Sequence, residues 1–216
     1  MHAWNDDWGD WQNLGTPTQA PRYREIARLV EKFCPGGFVI DVGCGEGVLR
    51  DYLAKDVRYV GIEPSAKAVK SARARLDGDA IFRSTAEAFD IANYRPHCVI
   101  FNESLYYSPK PTAVLRKYTA QLNPEGILII SIYQRIPTSW RVQLETFLHH
   151  SMSNLRCTKL VCSYLSREKW AVELDEFLVI PGTEKHWRIV AARPPSEFRE
   201  KIAKNGAPFT TQRFQR

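Results

Sequence analysis

The feature that most constrains the fold is an alternation of short apolar runs with helical patterns between residues 22 and 132. Such runs, each ending in small or polar residues, are typical of buried strands, and helical crossovers between them indicate a parallel sheet wound on both faces. The chain is therefore predicted to be an α/β protein. The predicted strands are 38–42, 59–62, 98–102 and 127–132, with a weaker strand at 80–82, and the predicted helices are 22–33, 48–55, 66–76 and 112–122.

The later part of the chain has a less regular pattern. Residues 138–150 have a helical pattern, whereas 158–164, 169–179 and 186–192 resemble strands, with Pro181 and Gly182 predicting a turn before the last. Two of these three segments are expected to form an antiparallel hairpin at the edge of the sheet. The pattern leaves open which two.

The composition of the 216 residues predicts one soluble, cytoplasmic domain. The longest apolar run is far shorter than the roughly 20 residues that a membrane-spanning helix needs. The acidic, tryptophan-rich first segment is unlike a secretory signal. The five cysteines are an odd number without CxxC or zinc-ligand spacing, so we expect reduced thiols and no metal.

The positive charge is concentrated at one end of the chain. The formal net charge is +6, and residues 193–216 hold six basic and two acidic side chains, which leaves the rest nearly neutral. A solvated tail explains this pattern better than a nucleic-acid surface does. The expected organisation is an aromatic segment at 1–18, the main domain at 19–193 and a basic tail at 194–216.

A glycine-rich loop follows the first predicted strand. That strand ends at Asp41, and glycines follow at every second position (Gly43, Gly45 and Gly47) before a helical pattern begins. Glycine removes the Cβ that would block close approach of a ligand to the backbone. Glu63 ends the next strand, where a carboxylate can accept both hydrogen bonds of a ribose diol. The dinucleotide fingerprint GxGxxG would need glycine at position 48, which is valine.

Four segments in this order resemble class I S-adenosylmethionine-dependent methyltransferases: VIDVGCGEG, VGIEPS, FNESLYYSP and LNPEGILIIS. The likeness extends from about residue 38 to residue 133. It implies a doubly wound, Rossmann-like, seven-stranded sheet, mostly parallel with an antiparallel C-terminal hairpin. It also implies S-adenosyl-L-methionine as the cofactor and a reaction that needs no metal.

The resemblance also implies which residues bind the cofactor. The glycines would line its methionine and ribose parts, Asp41 would hold the loop and the amino acid end, and Glu63 would bind the ribose hydroxyls. The end of the fourth strand would face the sulfonium. The residues assigned in this way are Asp41, Gly43, Cys44, Gly45, Gly47, Glu63, Pro64, Asn102 and Glu103.

The adenine contact is expected in the loop after the third strand. The family often has an aspartate before a small residue in the loop after the third strand, whereas here Thr85 precedes Ala86. The hydroxyl of Thr85 or the carboxylate of Glu87 would then accept a hydrogen bond from the adenine amine. The sequence leaves both open.

The acceptor side is expected above the carboxyl end of the fourth strand. Glu103 is the best candidate for a general base, with an ion-paired or helix-capping carboxylate as the alternative. Tyr106 and Tyr107 are candidates for positioning the acceptor, with packing beneath the loop as the alternative.

The first residues suggest a lid. Trp4, Trp8 and Trp11 alternate with aspartates within eight residues, which would suit a cationic or amine acceptor, although a structural clasp on the domain surface is the alternative. His149, at the end of the predicted helix 138–150, is included on the acceptor side, with a helix-terminal cation as the alternative.

The expected function is N- or O-methylation of a small-molecule acceptor, an amine being one candidate, in metabolite or natural-product biosynthesis. The segment from Asn102 to Tyr107 looks similar to methyltransferases that act on amines or sugars, including the nodulation type. One alternative is an RNA methyltransferase that uses the basic tail, although no NPPY-type motif follows the fourth strand. Another is a cofactor-binding protein with a regulatory role or a non-methylating reaction. The oligomeric state does not follow from the sequence.

Overall fold

The computed structural model describes residues 15–135, 151–181 and 185–197. Helices and strands alternate along most of this part of the chain. The helices are α1 (Ala20–Phe33), α2 (Ala66–Arg75), α3 (Pro111–Thr119) and α4 (Ser151–Arg167). The strands are β1 (Phe38–Val42), β2 (Arg58–Glu63), β3 (Ala80–Arg83), β4 (Cys98–Asn102), β5 (Ile127–Arg135), β6 (Ala171–Val179) and β7 (Lys185–Arg193).

The strands form one seven-stranded sheet in the order β3-β2-β1-β4-β5-β7-β6. The pairs among β1 to β5 are parallel, whereas β7 runs antiparallel to both β5 and β6. This arrangement confirms the predicted fold class. From β1 the chain winds outward to β2 and β3, and it then returns to β4 on the other side of β1. Ligands of open α/β sheets bind at this reversal, at the carboxyl ends of the strands.

Apolar side chains cover both faces of the sheet, which is why its central strands are buried on each side. On one face α1 and α2 pack against the strands, and on the other face α3 and α4 do so. The helical residues of the first core are Tyr23, Ile26, Leu29, Val30, Val69 and Ala72. Those of the second core are Val114, Leu115, Tyr118, Cys157, Val161, Tyr164 and Leu165.

One strand prediction was wrong: residues 158–164 lie in α4, and the hairpin is formed by β6 and β7 instead. The buried positions Cys157, Val161, Tyr164 and Leu165 recur with the helical period, so α4 covers the sheet with one apolar stripe. The valine and the tyrosine favour a strand locally, and tertiary burial overrides that preference. The predicted helix at 138–150 lies outside the described residues.

The predicted helix at 48–55 is a short 3₁₀ segment, Val48–Tyr52. Gly47 precedes it in the left-handed conformation, and Leu53 follows it in an extended one. The segment therefore has room for little more than one turn before the chain enters β2. A second 3₁₀ segment, Leu105–Tyr107, follows β4.

Candidate active site

The glycine loop is a left-handed turn at the carboxyl end of β1. Gly43, Gly45 and Gly47 have φ angles of 78°, 56° and 71°, a region that other residues rarely adopt. A Cβ on Gly43 would lie 2.3 Å from Cβ of Ser104, so the loop after β4 occupies the space that a side chain would need. The backbone N–H groups of Gly43 and Cys44 donate to the Ile62 carbonyl at 2.7 and 3.0 Å, which fixes the loop to β2.

Glu63 at the end of β2 is bound to backbone on two sides. Its Oε2 accepts from the Gly45 N–H at 3.0 Å, and its Oε1 accepts from the Ser65 N–H at 2.9 Å. Burial raises the pKa of this carboxyl, while the two backbone hydrogen bonds act in the opposite direction. The half-buried carboxylate thus joins the glycine loop to β2 and keeps oxygen lone pairs for a ligand.

Asp41 at the end of β1 is almost completely buried, at 1% exposure. The Tyr59 hydroxyl donates to its Oδ2 at 2.8 Å, while its Oδ1 has no hydrogen-bond partner among the described residues. Burial raises the pKa of this carboxyl to about 7, and the Tyr59 hydrogen bond lowers it against that effect. A buried acceptor oxygen without a partner is where a ligand donor group is expected.

Two further residues assigned to the cofactor lie beside this loop. Cys44 is buried, and a Cβ on Gly61 would lie 2.7 Å from its Sγ, so the thiol packs on β2. Pro64 is half-buried and follows Glu63 directly.

The loop after β3 holds the residues considered for adenine. The Thr85 hydroxyl oxygen accepts from the Ala88 N–H at 3.1 Å, which closes a turn. The Ala86 carbonyl accepts from the Tyr118 hydroxyl at 3.2 Å. Glu87 is exposed, and its carboxylate accepts from the Ser108 hydroxyl at 2.6 Å, so it faces the loop that follows β4.

Glu103 follows β4 with a φ of 60°, which is unusual for a residue other than glycine. Its carboxylate lies 3.7 Å from the guanidinium of Arg22, and its Oε2 also accepts from the Tyr106 hydroxyl at 3.1 Å. Burial raises the pKa of this carboxyl to about 7, while Arg22 and Tyr106 lower it. The ion-paired carboxylate, considered from the sequence as an alternative to a general base, is therefore present.

Arg22 was not predicted from the sequence to belong to the site. It is buried in the first turn of α1, and its guanidinium carbon lies 4.9 Å from the ring centre of Tyr23 and 5.1 Å from that of Trp187. One signal was available: Arg22 shares the buried stripe of α1 with Ile26 and Leu29, and a cation on an apolar helix face needs a partner. Trp187 carries no comparable signal, because a tryptophan in a strand is ordinary.

The remaining residues of the loop after β4 lie close to Glu103. The Asn102 side-chain oxygen accepts from the Ser131 hydroxyl at 2.9 Å. The rings of Tyr106 and Tyr107 have centres 4.5 Å apart, and Tyr107 is the more exposed at 36%. The fold thus places Asp41, Glu63, Asn102, Glu103 and both tyrosines at one edge of the sheet.

The tryptophans of the predicted lid (Trp4, Trp8 and Trp11) and His149 lie outside the described residues, as does most of the basic tail. Within 15–135, 151–181 and 185–197, no helix is long and apolar enough to cross a bilayer. The same ranges hold no group of three His, Cys, Asp or Glu residues placed to bind a metal.

Comparison with known proteins defines the class. The chain belongs to a methyltransferase family, because residues 18–177 match the model of a methyltransferase domain. The ubiquinone biosynthesis O-methyltransferase of Xanthomonas euvesicatoria is 31% identical over 111 residues, 49% of this chain and 46% of the relative. The enzyme of that name in Nitrosospira multiformis is 30% identical over 147 residues, 64% of this chain and 59% of the relative. The chain spans about half the length of the curated relatives it matches.

Solved structures share the fold. The N-methyltransferase NodS of Bradyrhizobium japonicum, in complex with S-adenosyl-L-homocysteine, aligns with a TM-score of 0.66 at 15% identity over 86% of this chain and 91% of that chain. Magnesium protoporphyrin IX methyltransferase of Synechocystis, with bound S-adenosylmethionine, gives 0.59 at 16% identity over 82% and 80%. Both neighbours are methyltransferases, and at this identity the likeness shows the shared fold.

The described residues of the site suit S-adenosylmethionine. A left-handed glycine turn leaves its backbone open, and a buried aspartate oxygen has no partner among the described residues. Among the same residues Arg22 is the only buried arginine or lysine, against the buried carboxyls of Asp41 and Glu103. A crevice with more acidic than basic groups suits a sulfonium cation.

Proposed function

We propose that this methyltransferase transfers a methyl group to the nitrogen or oxygen of a small-molecule acceptor and that Glu103 accepts the proton the acceptor loses. The observation that carries the proposal is the buried Glu103 carboxylate at the carboxyl end of β4, which the Tyr106 hydroxyl and the Arg22 guanidinium orient. A general base must be held within hydrogen-bond reach of the proton that it removes.

The cofactor would be held on the other side of the crevice. Asp41 would accept from the amino acid end, the glycine loop would line the methionine and ribose, and Glu63 would accept from the ribose hydroxyls. When bound, S-adenosylmethionine supplies a sulfonium-activated methyl group that an acceptor lone pair displaces in line. The protein then has to orient the acceptor and keep its nucleophile in the right protonation state.

Glu103 suits this role by its protonation. Its pKa is raised by burial to about 7, so the ionised carboxylate is available near neutral pH and is basic enough to take a proton from an acceptor N–H or O–H. Burial also raises the pKa of Tyr106 well above its usual range, so its hydroxyl stays protonated and remains a donor to the carboxylate. The proton leaves to solvent after the methylated product departs.

The acceptor class is supported by the walls of the crevice and by the relatives. The tilted pair of Tyr106 and Tyr107 offers aromatic surface, part of it exposed, against which an apolar or aromatic acceptor can pack. The curated relatives named above are O-methyltransferases of ubiquinone biosynthesis, which favours a hydroxyl acceptor. The fold neighbour NodS is an N-methyltransferase, which keeps an amine in the test.

A product assay with two acceptor panels tests the proposal. The purified protein is incubated with S-adenosylmethionine and either phenols and catechols or small amines, and S-adenosylhomocysteine is quantified by mass spectrometry. We expect acceptor-dependent S-adenosylhomocysteine with one panel. Formation of methylthioadenosine instead, or turnover only with RNA, would refute a small-molecule methyltransferase.

A further inference from the structure

We propose that Arg22 is a positioning residue for methyl transfer, whose guanidinium orients the Glu103 carboxylate and holds it ionised. The inference rests on the proposed function, because it concerns the residue assigned there as the base. It also assigns a role to α1, a helix that contributes no residue to the glycine loop.

Both charges of the Arg22–Glu103 pair are buried. Its side chain is 3% exposed and that of Glu103 is 10% exposed, with 3.7 Å between guanidinium Nη1 and carboxylate Oε2. Taking each charge out of water costs several kcal/mol in real proteins, and only good geometry with a partner offsets that cost. An apolar residue of the same size would meet a purely structural role in the core at lower cost, so the buried ion pair favours a function for the charge.

Two aromatic rings orient the Arg22 guanidinium. Tyr23 on α1 and Trp187 on β7 contact the guanidinium through their ring faces. Stacking of this kind restricts a long side chain, so the guanidinium reaches the end of β4 in one direction. The Nε of Arg22 has no hydrogen-bond partner among the described residues, so the two rings and the Glu103 carboxylate are the neighbours that fix the guanidinium.

Groups from several other elements also face Glu103. The Tyr106 hydroxyl after β4, the Tyr133 backbone N–H on β5 and the Trp187 side chain on β7 lie close enough to lower the pKa of its carboxyl. Three further titratable groups among the described residues, Tyr23, Tyr107 and Cys157, are neutral. Burial raises the pKa of each, and the charge of Glu103 raises it further. Within the part of the chain that the structure describes, Arg22 is the one cation among the groups that act on the Glu103 pKa.

Arg22 also acts on the other buried carboxyl, because its charge lowers the pKa of Asp41. A substitution at Arg22 therefore has to be tested for cofactor binding separately from its effect on Glu103. Calorimetric titration with S-adenosylhomocysteine provides that measurement, and circular dichroism reports whether the variant is folded.

The test compares Arg22→Gln and Arg22→Lys with wild type by ¹³C NMR titration of glutamate carboxyls, the Glu103 signal being assigned by its absence in Glu103→Gln. Loss of an opposite charge at this distance is expected to raise the titration midpoint by about 1–3 pH units in Arg22→Gln. The rising limb of kcat/KM moves by the same amount, so activity at pH 7 falls by about fivefold for a shift of about one unit and by about 500-fold for about three, and it recovers at higher pH. Arg22→Lys, which keeps the charge but loses the planar stacking, shifts less.

Arg28→Gln is the matched control. Arg28 is on the same helix but exposed, where it pairs with Glu25, so its loss leaves the Glu103 midpoint and the pH profile unchanged. An Arg22→Gln variant whose Glu103 midpoint and pH profile equal those of wild type would overturn the inference. If Arg22→Gln does not fold, Arg22→Met, which keeps much of the apolar stem and removes the charge, replaces it, and an unchanged Glu103 midpoint in that variant overturns the inference equally. The proposed function fails by a different result, wild-type protein that forms no S-adenosylhomocysteine with any acceptor.

Discussion

Two buried carboxyls end adjacent strands of the same sheet, and their surroundings differ. Asp41 is the second-last residue of β1 and receives a hydrogen bond from the Tyr59 hydroxyl on the neighbouring β2, whereas Glu103 follows β4 and faces the guanidinium of Arg22 from α1. Burial raises the pKa of both to about 7. The same titration behaviour therefore arises next to a neutral donor in one case and next to a cation in the other.

The cofactor side is built from residues close together in the sequence, whereas the acceptor side is built from residues far apart in it. On the cofactor side, the groups lie between Asp41 and Glu63, and most of their contacts are to backbone. On the acceptor side, Arg22, Glu103 and Trp187 are far apart in the sequence, and Arg22 contacts the other two through side chains. We therefore expect substitutions on the first side to act on cofactor affinity and substitutions on the second side to act on turnover.

Removing the charge of either carboxyl gives the largest expected effect. Glu103→Gln removes the base and should lower kcat/KM by about 10²–10⁴-fold with little change in S-adenosylhomocysteine affinity. Asp41→Asn should instead weaken S-adenosylhomocysteine binding roughly 10- to 100-fold, since a hydrogen bond to a charged group is worth about 1.5–3 kcal/mol. Calorimetry and steady-state kinetics of both variants measure the contrast. Equal loss of affinity in the two variants would contradict the separation.

The glycine loop provides the next largest effect. Gly43→Ala adds a Cβ that meets Ser104 at 2.3 Å in a left-handed backbone conformation. We expect a loss of roughly 2–5 kcal/mol in the free energy of unfolding, from clash and backbone strain together, and loss of measurable cofactor binding. Urea denaturation and calorimetry measure the two.

Gly78→Ala is the matched control for this clash. Gly78 also has a positive φ, but a Cβ there meets no atom within 4 Å. Only the backbone strain of about 1 kcal/mol is then expected, with unchanged cofactor affinity. A loss in Gly78→Ala as large as that in Gly43→Ala would show that the close approach to Ser104 is unimportant.

The pH dependence of stability tests the carboxyls together. Their pKa values rise from the ordinary 3.8 for Asp41 and 4.5 for Glu103 to about 7 in the folded chain. Each carboxyl therefore binds its proton more tightly when folded, and the stability it contributes is complete at low pH and is lost as the pH rises through about 7. Without cofactor, we expect a loss of roughly 2–4 kcal/mol per carboxyl between about pH 5 and pH 8. Urea denaturation of the apoprotein across that range measures it.

Single variants assign this pH dependence. Glu103→Gln and Asp41→Asn should each remove about half of the slope, and the double variant should remove most of it. Stability of the wild-type apoprotein that increases from about pH 5 to pH 8 would contradict the raised pKa values.

The smallest effect is expected at Thr85. Its hydroxyl oxygen already accepts from the Ala88 N–H, so Thr85→Ala should cost about 1 kcal/mol of unfolding free energy, as for a lost cap. S-adenosylhomocysteine affinity should change only a few-fold, whereas a large loss of affinity would assign the adenine contact to this residue. Glu87→Ala, measured in the same way, tests the other candidate for that contact.

Several features could be predicted from sequence because their causes are local. Glycines at alternate positions after a strand, followed by Glu63 at the next strand end, define the cofactor side through steric freedom and strand geometry. The parallel sheet also follows from the alternation of apolar runs with helical patterns, whereas the order of its strands comes from the structure. Local preference misled where burial decided the structure, as at residues 158–164, which are helical.

The sequence by itself determined the class of cofactor, the sheet and the residue Glu103 as a candidate base. Only the tertiary structure placed Arg22 between Tyr23 and Trp187 and beside that carboxylate. The physical reason is range: a turn depends on the conformations of neighbouring residues, whereas a buried charge depends on which distant groups the fold brings into contact with it.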